Sequence, residues 1–204
     1  MSRIASVVSL IAITSALLAC GSSPPTRFYT LNSVPAEVPR QHEVGPPVKV
    51  DAVHVPALLD RESIVRGESG NQLVISGQDR WGGDFGEMAR RVLTQDLRAR
   101  LPAESVIPAE APAPANARGL VVDILSFSPA ASGEVVLDAD WTVLQGEPAQ
   151  PVIRRAAHLE APAATSAADE VATMSRLLGQ LADQIASGIG APSQRPRHPE
   201  SSTS

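Results

Sequence analysis

The side chain with the clearest capacity for chemistry is the thiol of Cys20, the only cysteine in the 204 residues of the chain. A single cysteine rules out a disulfide bond within the chain. Cys20 follows Arg3 and a largely apolar run over residues 4–19. A basic start, a short apolar segment and a small residue before the cleavage point are the marks of a secretory signal. The run is shorter than the roughly 20 apolar residues of a membrane-spanning helix, so the sequence predicts a signal peptide over residues 1–19.

Residues 17–20, Leu-Leu-Ala-Cys, resemble the lipobox of bacterial lipoproteins. The resemblance implies cleavage before Cys20, which would then carry acyl chains such as palmitate on its sulfur and nitrogen. Burial is worth about 0.8 kcal/mol per methylene, and two chains give stable anchoring where one does not. Gly21 rather than Asp follows Cys20, which by resemblance to Gram-negative lipoproteins favours the outer membrane, facing the periplasm. An ordinary signal peptide with a free thiol and an uncleaved anchor are the alternatives.

The other reactive side chains form no catalytic pattern. The four histidines are His42, His54, His158 and His198. They lack the paired spacing that builds a metal site, and residues 67–70, Gly-Glu-Ser-Gly, lack the glycine spacing of a nucleophile elbow. Asp138 and Asp140 fall on one face of a predicted strand, where they could serve metal or acid–base chemistry, although a solvated sheet face explains them better. We therefore expect no enzymatic activity, no catalytic residue, no cofactor and no metal.

The length and net charge of the chain limit which partners it can have and how many domains it can form. The chain has a formal net charge of −5 and no dense basic patch, which argues against nucleic acid as a partner. Its length suits one domain. We expect an acylated tether over residues 20–26, a single domain over residues 27–190, and a disordered tail over residues 191–204, where polar residues and prolines dominate.

The periodicity of apolar residues predicts the elements of that domain. Strands are expected over residues 27–31, 48–55, 73–76, 120–127, 134–144 and 152–160, with loops over 32–47 and 108–116. Helices are expected over residues 84–101, capped by Asp84, and over residues 166–190, where Ser166 and Asp169 approximate a capping box. On the second strand, His54 is expected on the same face as Val48 and Val50.

These patterns predict an α+β fold. The last three strands are separated by short turns, which favours an antiparallel meander. Each helix has one apolar stripe and at least one strand has one apolar face, so each needs a partner layer. We expect a two-layer domain in which one mostly antiparallel or mixed sheet carries two amphipathic helices packed on one face.

The order of several short motifs then resembles a known family. After the lipobox come Phe28-Tyr29-Thr30-Leu31, a valine-rich strand running into Val-Pro-Ala-Leu-Leu-Asp-Arg at residues 55–61, Ile64-Val65-Arg66, and Arg80-Trp81 opening a helix. This order is similar to that of the PqiC-type lipoproteins, auxiliary components of ABC-type and MCE-protein transport systems. The motifs span residues 20–101. Gly82-Gly83 departs from the family, which more usually has Ala and an acidic residue there.

The resemblance implies an outer-membrane lipoprotein that tethers and docks an MCE-domain transport assembly, supporting transport of phospholipid or another hydrophobic molecule and the integrity of the envelope. Its partners would be an MCE-domain protein, the membrane through acylated Cys20, and other copies of the chain in a ring. Cys20 is the lipidation site. Arg61, Arg80 and Trp81 are candidates for partner contact or, equally, for a structural role.

Two other functions stay open at this point. A stand-alone periplasmic lipid carrier would need a cavity lined by apolar side chains, for which a small Ala- and Val-rich core leaves little room. A periplasmic hydrolase would depend on Ser69 or His158, and the missing triad makes it the weakest hypothesis.

Overall fold

The structure of the chain is a computed structural model that describes residues 24–36, 45–69, 72–130, 134–162 and 166–190. The predicted signal peptide, Cys20 and the predicted tail over residues 191–204 lie outside these residues. In the described part of the chain the strands are β1 (Arg27–Tyr29), β2 (Val48–His54), β3 (Ser63–Ser69), β4 (Gln72–Trp81), β5 (Arg118–Pro129), β6 (Glu134–Gln145) and β7 (Gln150–Pro162). The helices are α1 (Phe85–Arg100) and α2 (Ala167–Gly190), with a short 3-10 turn at Ala103–Ser105.

The strands form two sheets. A small sheet has the order β1-β4-β3 and a large sheet has the order β2-β5-β6-β7. The predicted α+β class is confirmed, but the strands do not join in the single sheet that we expected. Neighbouring strands pair locally, as β3 with β4 and as the meander β5-β6-β7, all antiparallel. β1 then pairs in parallel with β4 of the hairpin, whereas β2 pairs in parallel with β5 of the meander. The hairpin and the meander therefore remain in separate sheets.

The large sheet carries both helices on one face, as predicted. Its central strand β6 alternates, with a buried face made of Val135, Leu137, Ala139, Trp141 and Val143. The two helices pack against each other and against this sheet, α1 at β2 and α2 at β6 and β7. α2 approaches very closely at one glycine, because a Cβ on Gly188 would lie 2.5 Å from the Trp141 ring.

Both helix starts are confirmed. The Asp84 carboxylate accepts a hydrogen bond from the Glu87 N–H at 2.8 Å, and the Ser166 hydroxyl accepts one from the Asp169 N–H at 3.1 Å. These side chains satisfy N–H groups that have no partner within the helix. The predicted stripe of α1 is buried at Phe85, Met88, Ala89, Val92, Leu93 and Leu97.

Two local predictions were wrong in the first half of the chain. Arg80 and Trp81 end β4 instead of opening a helix, because Tyr29 and Ser63 pair with them on either side. His54 does not share the face of Val48 and Val50, since a bulge between Val50 and Ala52 shifts the alternation by one residue. A bulge adds a residue that the partner strand does not match. His54 is therefore exposed, with its Nδ1 2.8 Å from an oxygen of Asp123.

A buried ionic cluster holds the segment after β1 between the helices. One oxygen of Asp96 accepts hydrogen bonds from the Ser33 hydroxyl and the Val34 N–H, both at 2.7 Å. The Arg100 guanidinium lies 3.7 Å from the same carboxylate, donates to the Val34 carbonyl at 3.0 Å, and pairs with Asp183 of α2 at 2.8 Å. Burial raises the pKa of Asp96, and the hydrogen bonds from Ser33 and Val34 oppose that rise. The Asp96 carboxylate thus depends on its partners to remain charged inside the protein.

Removing Arg100 should destabilise the domain strongly. Arg100→Ala leaves the fully buried Asp96 without its cation, and breaking a buried pair in this way costs about 3 kcal/mol in the free energy of unfolding. Urea unfolding followed by circular dichroism measures the change. The control is Arg98→Ala on the exposed side of α1, which should change the free energy of unfolding by less than about 0.5 kcal/mol. Equal losses in the two variants would contradict the structural role given to Arg100.

Candidate functional site

A cleft of about 790 Å³ opens at the end of β4. It brings together the three residues predicted as partner contacts, Arg61, Arg80 and Trp81. The full lining is Thr26, Phe28, Asp60, Arg61, Glu62, Arg80, Trp81, Gly82, Gly83, Asp84 and Phe85. These residues come from β1, the turn before β3, the end of β4 and the start of α1, so four separate pieces of the chain build one surface.

Backbone hydrogen bonds fix the walls of the cleft. The Trp81 N–H donates to the carbonyl of Glu62 at 2.7 Å, and the Gly82 N–H donates to the carbonyl of Tyr29 at 2.8 Å. The backbone at Gly82 lies so close to β1 that a Cβ on Gly82 would be 3.3 Å from the carbonyl oxygen of Tyr29. The end of β4 is thereby joined to both of its neighbours, and the first turn of α1 begins directly beside them.

Trp81 belongs to the floor of the cleft. Its side chain is buried, and its ring lies 4.9 Å from the ring of Phe85, which in turn lies 6.0 Å from Phe127 of β5. These aromatic contacts connect the small sheet to α1 and to the large sheet. Of the two roles open to Trp81 from the sequence, the structure gives it the packing role.

The two arginines of the cleft, Arg80 and Arg61, differ in whether they form an ion pair. Arg80 Nη1 lies 2.7 Å from the Glu62 carboxylate, so its charge is already paired. Arg61 is exposed and forms no ion pair within the described ranges. Asp60 and Asp84 add negative charge at the rim, although Asp84 also caps α1. The cleft therefore presents charges of both signs, which suits a polar protein surface better than a single anion.

The residue that sequence reasoning missed is Phe28. It lies opposite Arg80 in the parallel pairing of β1 and β4, lines the cleft, and has 69% of its surface exposed. Exposed aromatic side chains are enriched at interface centres. The available signal was an aromatic residue in a predicted short strand directly after a Ser- and Pro-rich tether.

A second concavity, of about 430 Å³, lies on the outer face of the large sheet and includes the two aspartates considered above. There His158 Nδ1 lies 2.6 Å from one oxygen of Asp138, while the Ser126 hydroxyl donates to the other oxygen at 2.9 Å. A serine hydrolase needs the histidine between the serine and the acid. Here the acid is in the middle, so His158 cannot take the proton of Ser126. The side chain of Ser69 lies outside the described residues.

Two further properties concern metals and membranes. Among the residues that the structure describes, no group of three or more His, Cys, Asp or Glu side chains is placed to hold a metal ion. Within the same residues, neither helix combines the length and the apolar character required to cross a bilayer.

Comparison with known proteins identifies the family. Residues 29–186 match the family model described as an ABC-type transport auxiliary lipoprotein component. The chain belongs to this family. The match begins at the end of β1 and ends inside α2, so it covers both sheets and most of the cleft. The resemblance drawn from the short motifs is therefore confirmed, and the protein is an auxiliary lipoprotein of a transport system in the cell envelope.

Solved structures show the same fold. A crystal structure of an uncharacterized protein superposes with a TM-score of 0.69 at 23% identity, covering 81% of this chain and 99% of that one. A protein from Xanthomonas campestris gives a TM-score of 0.64 at 14% identity, covering 79% and 93%. The PelC dodecamer from Paraburkholderia phytofirmans reaches a TM-score of only 0.36 at 13% identity, over 75% and 92%, which is too low to bear on assembly. No curated protein matches the chain.

The titrations of His158 and Asp138, on the outer face of the large sheet, should be linked. The hydrogen bond between the two side chains raises the pKa of His158 and lowers the pKa of Asp138. Stability from the raised histidine is lost as the pH rises through its folded pKa, and stability from the lowered aspartate is lost as the pH falls through its folded pKa. The pair therefore contributes fully between the ordinary values of 3.8 and 6.5. Asp138→Asn should return the His158 pKa toward 6.5, as measured by NMR titration of the imidazole.

Asp140→Asn is the matched control for that titration. Asp140 lines the same concavity and leaves the contact between Asp138 and His158 in place, so the His158 pKa should stay raised in this variant. An equal fall in both variants would mean that the general negative charge of the sheet, and not the hydrogen bond, raises the pKa of His158.

Proposed function

We propose that this auxiliary lipoprotein is anchored in the outer membrane through acylated Cys20 and docks an MCE-domain protein, supporting intermembrane transport of phospholipid or another hydrophobic molecule. In this role the protein is a tether: the acyl chains hold its N-terminal end in the membrane, and the folded domain binds the partner. The domain over residues 27–190 is the docking unit, preceded by the tether over residues 20–26.

The observation that carries the docking role is the cleft at the end of β4. The candidates Arg61, Arg80 and Trp81 lie in one concavity together with the exposed ring of Phe28. An exposed aromatic ring beside an arginine is a typical composition for the centre of a protein interface. The mixed charges of the rim favour a folded protein partner over an acyl chain, which would need an apolar lining. This composition supports docking rather than the carrier hypothesis.

The anchoring part is tested at Cys20. Wild-type protein in a Gram-negative host should incorporate a labelled fatty acid and fractionate with the outer membrane, whereas Cys20→Ser should lose the label and leave the membrane fraction, because no other residue of the chain carries a thiol. Ser22→Ala, two residues away in the tether, should keep both properties. Lipid label in Cys20→Ser would show that the chain is anchored in another way.

The docking part is tested by cross-linking and affinity. Purification from cross-linked envelopes should recover an MCE-domain protein, and Phe28→Ser or Arg61→Glu should weaken its binding about tenfold or more, as hot-spot changes do. Val152→Ser is the control, since Val152 is also an exposed apolar side chain but lies on β7. Trp81 is unsuitable as a probe because its ring is part of the core.

Two results would reject this docking site. One is the recovery of no MCE-domain protein from cross-linked envelopes. The other is equal loss of binding in the Phe28, Arg61 and Val152 variants, because a specific site requires the first two to differ from the third. A ring of subunits is part of the proposal, and native mass spectrometry of the purified protein measures the subunit number.

A further inference from the structure

The hairpin formed by β3 and β4 has three exposed apolar side chains close to the start of β4, directly after Gln72. Leu73, Val74 and Ile75 are 40%, 54% and 41% exposed. Successive side chains of a strand point to opposite faces, so the hairpin presents apolar surface on both of its faces here. A strand that only covers a core would have one apolar face and one polar face. The tip of this hairpin therefore has the composition of an element that enters an apolar environment.

Within the described residues, one edge of the same hairpin also has no partner strand. β1 pairs only with Asp79, Arg80 and Trp81 at the far end of β4. Along the preceding part of β4, no strand in the described residues pairs on the β1 side. Natural proteins usually shield such edges with charges, prolines or another element. An uncovered edge with three consecutive apolar residues needs an occupant.

The direction of the chain indicates what that occupant is. β1 runs parallel to β4, with Arg27 opposite Asp79, so the residues that precede Arg27 leave β1 toward the hairpin tip. Asp79 lies six positions after Leu73, and Arg27 lies seven positions after Cys20. At about 3.3–3.6 Å per extended residue, the two segments reach similar distances of roughly 20–25 Å. Cys20 can therefore lie level with the tip.

We propose that the tip of the β3–β4 hairpin, Leu73 to Ile75, rests in the headgroup region of the bilayer that holds acylated Cys20. This inference rests on the acylation of Cys20 given under the proposed function. Pro24 and Pro25 in the tether have no N–H groups to donate, so the tether does not serve as a regular strand along the open edge of β4. The bilayer surface is then the apolar environment that lies within reach of the tip.

The flanking residue Gln72 limits how deeply the tip enters. Gln72, which directly precedes Leu73, is exposed. An amide group is costly in the hydrocarbon core but not among headgroups. The hairpin therefore contacts the interface without crossing it. With the tip on the membrane, the opposite end of β4 at Trp81, and with it the docking cleft, points away from the bilayer toward the periplasm.

A single introduced cysteine tests this seating in the full acylated chain. Because Cys20 is the only natural cysteine and its sulfur is acylated, Val74→Cys supplies the only free thiol for an environment-sensitive fluorophore. The control is Val152→Cys on β7, where the side chain is almost equally exposed, 52% against 54%. Both labelled proteins are reconstituted in vesicles of phosphatidylethanolamine and phosphatidylglycerol.

The expected result is a shift to shorter emission wavelength at position 74, together with quenching by a nitroxide-labelled lipid, and neither effect at position 152. Ile75→Cys serves as a second reporter with the same expectation, in case the label at position 74 disturbs the hairpin. Equal emission at positions 74 and 152 in vesicles would overturn the proposal. A shift at position 74 that requires an added MCE-domain protein, and occurs in detergent without vesicles, would also overturn it and assign the tip to protein docking.

Failure of the anchor is recognised separately. The wild-type chain, treated with the fluorophore in parallel, takes up no label if Cys20 is acylated. Labelling of the wild type and its recovery in the soluble fraction would reject the anchor, and the membrane seating with it. An unlabelled, membrane-bound wild type combined with an unshifted reporter at position 74 would reject the seating alone and leave the anchor intact.

Discussion

The structure depends on one buried electrostatic constraint, the pairing of Asp96 and Arg100 with the segment that follows β1. Asp96 holds Ser33 and the Val34 N–H, while Arg100 holds the Val34 carbonyl and Asp183 of α2. Asp96 Oδ2 is buried and has no hydrogen-bond partner among the described residues, so the carboxylate is held through its other oxygen and through the nearby Arg100. A buried carboxylate is costly without such partners, and these contacts hold the two helices and this segment in one arrangement. Because the segment continues from β1, the same contacts set where the tether enters the domain.

The two ends of strand β4 lie at different surfaces of the domain. The first residues of the strand form the exposed apolar tip and its last residues, Arg80 and Trp81, line the cleft. The small sheet is joined to α2 by the ion pair between Arg66 and Glu170 at 2.8 Å, in which Glu170 is largely buried. The hydrogen bond to Glu170 raises the pKa of Arg66. The two proposed contacts, with the membrane and with a partner protein, thus lie at opposite ends of one strand.

Family membership and site chemistry agree on the kind of protein this is. The family is that of an ABC-type transport auxiliary lipoprotein component, and the Ser126, Asp138 and His158 side chains on the large sheet are joined by hydrogen bonds at its surface. The proposals therefore concern Cys20, the cleft and the hairpin tip. The cleft is built from elements that are far apart in the sequence.

The sequence by itself determined the two capped helices, the alternation of β6 and the α+β class, because these follow from local spacing and from capping groups within a few residues. Lipidation at Cys20 stays a prediction from the lipobox resemblance. It determined the candidates Arg61, Arg80 and Trp81 only through family resemblance. Tertiary structure decided the split into two sheets, the bulge that exposes His54, the packing of Trp81 and the exposure of Phe28. Strand partners and burial depend on contacts between distant segments, such as Tyr29 with Trp81, and periodicity along one segment carries no information about which distant segment will cover it.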